Sequence, residues 1–79
     1  MKEYTIDASL LNENERAHDY LKEVFSFPDY YGKNLDALYD CLSEKNIDRI
    51  NVINSDKGGF YFFAILNVIK ECEIEVYMK

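Results

Sequence analysis

Apolar and polar residues alternate along two short segments, residues 3–8 and 73–78, as they do in half-buried β-strands. In the first segment the apolar positions are Tyr4, Ile6 and Ala8. In the second they are Ile74, Val76 and Met78. A third strand is predicted for the run INVIN at residues 50–54, which is closed by the turn residues SDKGG.

A helical spacing of apolar residues replaces this alternation over residues 13–26. The apolar positions there are Ala17, Leu21, Val24 and Phe25. We expect Asn12 or Asn14 to cap the start of this helix, because both residue types accept hydrogen bonds from free backbone N–H groups. Pro28 prevents the helix from continuing beyond the residue before it.

A second, short helix is predicted over residues 35–43, with Asn34 as its N-cap. Its apolar stripe consists of Leu35, Leu38 and Leu42. A separate stripe at helical spacing consists of Asp36, Tyr39, Asp40 and Ser43. We expect the leucines to face the core and the acidic stripe to face solvent. In the turn before this helix, Gly32 is expected to adopt a positive φ or to let another backbone come close.

The segment 60–71, FYFFAILNVIKE, is apolar almost throughout, so periodicity alone does not separate helix from strand. Its length and its lack of turn residues favour a third helix. The predicted sheet-facing residues are Ile65, Val68 and Ile69. The opposite stripe consists of Phe63, Leu66, Asn67 and Lys70.

The predicted order is strand, helix, helix, strand, helix, strand. This order indicates a small α/β fold, a three-stranded parallel sheet packed with about three helices, if the crossovers are right-handed. The 79 residues leave room for one domain, which we expect to span residues 1–79.

The chain is acidic, with 15 Asp and Glu against nine Lys and Arg and a formal net charge of −6. This balance argues against binding nucleic acid, which requires clustered basic residues, and permits a basic protein partner. No apolar run approaches the length needed to span a bilayer, and the first residues lack the pattern of a signal peptide. We therefore expect a cytoplasmic protein that does not act at a membrane.

Candidate catalytic chemistry is sparse. His18 is the only histidine, and no nucleophile paired with a base, phosphate-binding loop or zinc-ligand spacing is present. We expect no enzymatic activity, no cofactor and no metal, with His18 at the surface or half-buried in the first helix. Cys41 and Cys72 are most simply two small buried thiols, with a disulfide as the alternative.

Asp36 and Asp40 are four residues apart, a spacing at which like charges repel by a few tenths of a kcal/mol. A carboxylate at Asp36 is favoured by the N-terminal end of the helix dipole, whereas Asp40 lies nearer the unfavourable end. Tyr39 adds an aromatic residue of a type enriched in interfaces. The stripe is either an ordinary solvated helix face or a surface that binds a cationic partner.

The stretch FPDYYGKNLDALYDCL, residues 27–42, resembles the central motif of the barstar family, which are small intracellular inhibitors of secreted bacterial ribonucleases. The resemblance is without a gap over this stretch, and beyond it the order of elements fits the full length. It implies that the second helix and the loop before it plug the ribonuclease active site.

Carried over by motif position, the resemblance implies one set of contact residues: Tyr30, Asn34, Leu35, Asp36, Tyr39 and Asp40. Tyr31 and Gly32 would shape the loop. Asp40 would be the central mimic of a substrate phosphate and Asp36 the second charged anchor. The implied partner is a basic secreted ribonuclease of the barnase type, bound one-to-one. The alternative is a module of the same fold that binds another basic protein, such as a non-ribonuclease toxin.

Two positions depart from the pattern of this family. Lys45 stands where the best-known inhibitors have a tryptophan, and alignment on Cys72 puts Leu66 where their last helix has a glutamate. Phe63 and Leu66 are therefore either peripheral core residues or an exposed apolar shoulder that borders the acidic helix and adjusts target specificity.

Overall fold

The computed structural model describes all 79 residues. Its helices and strands are β1 (Glu3–Asp7), α1 (Asn14–Phe25), α2 (Leu35–Glu44), β2 (Arg49–Ile53), α3 (Phe60–Glu71) and β3 (Glu75–Met78). Single 3₁₀ turns follow β1 and β2, at Ala8–Leu10 and Ser55–Lys57. All six predicted helices and strands are confirmed, including the helical assignment of the apolar segment 60–71. No helix is both long enough and apolar enough to cross a membrane.

The three strands form one parallel sheet with β2 in the centre. In this register Glu3, Arg49 and Glu75 lie side by side across the sheet. The predicted three-stranded parallel α/β architecture is confirmed. Each parallel pair is joined through helices, as parallel strands require, so α1 and α2 connect β1 to β2, and α3 connects β2 to β3.

The two faces of the sheet differ in polarity because side chains alternate along each strand. Ile6, Ile50 and Val52 point to the helices and are fully buried. On the opposite face, Arg49 forms ion pairs with Glu75 at 3.1 Å and with Glu3 at 4.0 Å. The core therefore lies between one face of the sheet and the three helices.

Aromatic rings connect β1, through the end of α1, to the segment that precedes α2. The rings of Tyr4 and Phe25 lie 4.8 Å apart between centroids, those of Phe25 and Phe27 5.4 Å, and those of Phe27 and Tyr31 4.8 Å. Such contacts add to the free energy gained by burial alone. The loop before α2 is thereby fixed to the core at Tyr31.

One of the two predicted helix N-caps is confirmed. Asn34 caps α2 as predicted, since its Oδ1 accepts a hydrogen bond from the backbone N–H of Ala37 at 2.7 Å. The prediction for α1 is wrong, because Glu13 occupies the N-cap position without a side-chain hydrogen bond. Asn12 instead binds the backbone of Lys57 and Gly59, and thus joins the start of α1 to the start of α3.

The predicted faces of α3 are partly wrong. Leu66 is only 4% exposed and belongs to the core, so it does not share the solvent face with Phe63, which is 52% exposed. Phe62 is buried as well. A helix lying over a sheet buries a wide apolar arc, and in α3 this arc extends beyond Ile65 and Ile69 to include both of these residues.

Candidate functional site

The outer side of α2 carries the predicted acidic stripe. Asp36, Tyr39 and Asp40 are exposed, whereas Leu38 and Leu42 are buried on the opposite side. Leu35 is half-buried at the boundary between the two. The predicted orientation of both stripes is confirmed, and it follows from two buried leucines that fix how α2 rotates against the core.

The segment Pro28–Asn34, called the docking loop below, presents its two tyrosines in opposite directions. Tyr30 is 83% exposed, while Tyr31 is 5% exposed and points into the core. Tyr30 can therefore contact a partner directly. Tyr31 is unavailable as a contact residue, because its ring packs on Phe27 in the core.

Gly32 and Lys33 give the docking loop its shape. A Cβ on Gly32 would lie 3.3 Å from the Cβ of Ala37 and 3.4 Å from the Nδ2 of Asn34, which are both side-chain atoms, so the expected close approach of another backbone is not observed. The alternative of a positive φ at Gly32 is wrong, because that conformation occurs at Lys33, with a φ of 54°. Left-handed backbone is uncommon outside glycine, and the contacts of the loop must hold it.

A shallow depression of about 490 Å³ separates α2 from α3. Its lining residues are Leu35, Asp36, Tyr39, Asp40, Val68 and Glu71. Phe63 and Leu66 do not line this depression. The hypothesis that they form an apolar shoulder beside the acidic helix is wrong for Leu66, because this residue is buried. The hypothesis is unsupported for Phe63, which is exposed but does not border the depression. The residues of α3 that border the acidic stripe are Val68 and Glu71.

Glu71 and Glu44 are acidic residues that sequence reasoning missed. Glu44 continues the spacing of Asp36 and Asp40 along α2 and could have been found from that spacing. Glu71 had no such signal, because its proximity to Asp40 arises only when α3 packs beside α2. These four carboxylates, Asp36, Asp40, Glu44 and Glu71, are called the acidic face below.

The ion pairs of this protein all lie away from the acidic face. Four pairs are present, and they are Lys22–Asp29, Lys33–Asp19, Arg49–Glu3 and Arg49–Glu75. No carboxylate of the acidic face takes part in any of them. This face therefore concentrates negative charge that the protein itself does not neutralise.

His18 is fully buried, so the prediction that it lies at the surface or half-buried in the first helix is wrong. Its Nδ1 lies 2.6 Å from the hydroxyl of Tyr31, and its Nε2 contacts the hydroxyl of Tyr61 on α3. Burial lowers the pKa of His18 and raises the pKa of both tyrosines. In the neutral ring one nitrogen donates to one hydroxyl and the other accepts from the second.

The two cysteines are free thiols, as expected, but each is half-buried instead of buried. Burial raises the pKa of both. The Sγ of Cys72 lies 3.8 Å from the carbonyl oxygen of Tyr39, which joins the end of α3 to α2. No group of three or more His, Cys, Asp or Glu side chains is arranged to hold a metal ion.

Comparison with known proteins identifies the family of this chain. A family model described as barstar (barnase inhibitor) matches residues 1–58. The chain belongs to the barstar family. A Bacillus subtilis (strain 168) protein named "Putative ribonuclease inhibitor YrdF" is 37% identical over 86 aligned residues, which cover 96% of this chain and 90% of that protein. The resemblance carried by residues 27–42 is thus confirmed at the level of the family.

The match to the barstar family model contains the docking loop and α2 and ends before α3. Three carboxylates of the acidic face therefore lie within the matched region. Glu71 lies outside it, on α3.

Proposed function

We propose that this protein inhibits a basic secreted ribonuclease of the barnase type by placing its acidic face in the active site of the enzyme, in a one-to-one complex. Membership of the barstar family and the name of the Bacillus subtilis relative support an inhibitor rather than an enzyme. Asp40 occupies the position of a substrate phosphate, and Asp36 is the second charged anchor.

One observation carries this proposal: Asp36, Asp40 and Glu71 line a single depression, and neither they nor Glu44 form an ion pair within the protein. A ribonuclease pocket must be strongly cationic to bind a phosphodiester. Carboxylates that meet such a pocket form charge-assisted hydrogen bonds, which are roughly twice as strong as neutral ones. The repulsion between Asp36 and Asp40 is relieved there.

The backbone of α2, which carries three of the four carboxylates of the acidic face, is held in place before binding, and this lowers the free-energy cost of binding. Leu38 and Leu42 anchor α2 in the core, and Asn34 caps its first turn. The carboxylates therefore need little reorganisation when the enzyme arrives. Complementary charge also accelerates the encounter of the two proteins.

Apolar contact supplements the charges. Tyr30 and Tyr39 are exposed on either side of the N-terminal turn of α2, and Leu35 is half-buried between them. Tyrosines are enriched among the residues that contribute most to binding. In the proposed complex these side chains exclude water around the buried ion pairs.

The proposed place of action is the cytoplasm, where an inhibitor protects the cell before the enzyme is exported. The two unpaired cysteines fit a reducing compartment, since disulfides are rare there.

Titration of RNA hydrolysis by barnase with increasing amounts of this protein tests the proposal. We expect hydrolysis to fall linearly to zero at one equivalent. A mononucleotide that occupies the active site should slow formation of the complex. Full hydrolysis at a large excess of the protein, with a non-ribonuclease protein recovered as the ligand instead, would favour the alternative module function.

A further inference from the structure

Helix α1 contacts the docking loop at three successive places. The atom pairs are Lys22 Nζ with Asp29 Oδ1 at 3.6 Å, His18 Nδ1 with Tyr31 Oη at 2.6 Å, and Lys33 Nζ with Asp19 Oδ1 at 2.7 Å. The first and third contacts are ion pairs at the protein surface, whereas the central one is buried. The loop is thus attached to α1 along its length, although α1 contributes no residue to the acidic face.

The central contact is buried on both sides. His18 and Tyr31 are in the core, and the ring of Tyr31 packs on Phe27 with 4.8 Å between centroids. Because Tyr31 points inward, Tyr30 points outward. The hydrogen bond to His18 and the packing on Phe27 together hold Tyr31, the residue directly after the exposed tyrosine of the loop.

The third contact holds the one residue of the docking loop that has a left-handed backbone conformation. Lys33 is the only basic residue between positions 29 and 44, and its φ of 54° is left-handed. Asn34, which follows it directly, caps α2. The ion pair with Asp19 thus stabilises the bend at which the docking loop joins the acidic helix, and it neutralises a cation that would otherwise oppose a cationic target.

We propose that His18 and Asp19 are positioning residues for inhibition, which hold the docking loop in its binding conformation before the target arrives. This inference rests on the proposed function, because it assumes that the loop and the acidic face form the contact surface. A loop that is already ordered loses less conformational entropy on binding. When the binding-competent fraction of the free protein falls, the apparent dissociation constant rises by the same factor.

Two single-atom deletions on opposite sides of His18 provide a matched pair. Tyr31→Phe removes the hydroxyl that reaches His18 from the docking loop, and Tyr61→Phe removes the hydroxyl that reaches it from α3. Both leave one nitrogen of the same imidazole without a partner, so we expect similar losses of thermal stability. Only Tyr31→Phe releases the loop.

The measurements are the dissociation constant for barnase and the hydrogen exchange of the loop amides 30–34 in the free protein. We expect Tyr31→Phe to weaken binding roughly 2- to 12-fold, the factor that corresponds to one net hydrogen bond, and to accelerate loop exchange. Tyr61→Phe should change neither. Equal effects of the two variants on binding, or no effect of Tyr31→Phe, would overturn the role of His18.

A surface pair tests Asp19 without touching the core, and it applies even if Tyr31→Phe fails to fold. Asp19→Asn and Glu75→Gln each break one exposed ion pair and each remove one negative charge, but Glu75 lies on the sheet. We expect only Asp19→Asn to weaken binding, by roughly 2- to 5-fold, the scale of one exposed ion pair. Equal changes in both variants would overturn the role of Asp19.

The double variant Asp19→Asn/Lys33→Gln separates positioning from charge, because it restores the original net charge without restoring the contact. We expect binding to stay weaker than in the wild type. Full recovery would mean that Asp19 only neutralises Lys33 and does not position the loop. Unchanged inhibition by Asp40→Ala in the same assays would instead reject the proposed function itself.

Discussion

The hydroxyl oxygen of Tyr31 lies 2.6 Å from Nδ1 of His18, and this contact joins the docking loop to α1 inside the core. Tyr61 occupies the other nitrogen of the same ring. A histidine enclosed in this way is held neutral, because burial keeps its pKa below the usual value of 6.5. Its state of protonation therefore affects the stability of the folded protein.

We expect the free energy of unfolding to decrease as the pH falls below about 6.5. Around that pH the unfolded chain takes up a proton on His18, whereas the folded chain does so only at a lower pH. The decrease should approach about 1.4 kcal/mol per pH unit and should stop below the folded-state pKa. At pH values above the unfolded-state pKa, His18 is neutral in both states and does not make the free energy of unfolding depend on pH.

Urea denaturation between pH 5 and pH 7.5 measures this effect. Loss of negative charge with falling pH acts on the whole protein, so the comparison is with His18→Gln, which retains every acidic residue. The wild type should lose more stability than the variant between these two pH values. Parallel curves would show that His18 does not titrate differently in the folded and unfolded states.

The rate of association with a cationic target should depend strongly on salt. The net charge is −6, and the carboxylates of the acidic face are unpaired. Electrostatic steering of this kind accelerates association about tenfold or more and is screened at high ionic strength. Stopped-flow mixing with barnase at low and high salt measures it. A rate that is independent of salt would mean that the acidic face is not the docking surface.

Two neighbouring residues of α2 should separate folding from inhibition. Leu38 is fully buried, so Leu38→Ala should reduce the free energy of unfolding by about 2–5 kcal/mol. Tyr39 is exposed, so Tyr39→Ala should leave stability nearly unchanged and weaken inhibition by about 1 kcal/mol or more. Chemical denaturation and inhibition assays on both variants check the pair. A loss of stability in Tyr39→Ala would show that Tyr39 contributes to packing of the folded protein.

Glu71 should contribute to binding although it lies on α3 and not on α2, the helix that contains Asp36 and Asp40. It lines the same depression as Asp36 and Asp40, so Glu71→Gln should weaken inhibition by up to about 1 kcal/mol, mainly through slower association. Glu13→Gln is the control, because it removes an equal charge at the start of α1. If the two variants behave alike, only net charge matters and Glu71 has no local role.

The elements of the fold were predictable because each is encoded locally. The alternation around Ile6 and the cap at Asn34 act within a few residues, and the length of the segment 60–71 favoured a helix over a strand. The orientation of Asp36 and Asp40 was predictable for the same reason, since it follows from the leucines on the same helix.

Three features could not be predicted because they depend on packing between distant segments. His18 is buried by Tyr31 and Tyr61, which lie on other elements. Leu66 belongs to the core because α3 buries an arc wider than the one inferred from its spacing. Glu71 joins the acidic face only through the contact of α3 with α2.

The most direct test of the proposed function is the inhibition constant for barnase measured with Asp40→Ala and with Asp56→Ala. Both variants remove one exposed carboxylate, but Asp56 lies in the 3₁₀ turn after β2. We expect Asp40→Ala to weaken inhibition by about 2–5 kcal/mol, the usual loss when one partner of a buried, hydrogen-bonded charge pair is removed from a complex. Asp56→Ala should leave the constant nearly unchanged. Wild-type inhibition by Asp40→Ala, or equal losses in both variants, would contradict the assignment of the acidic face as the inhibitory surface.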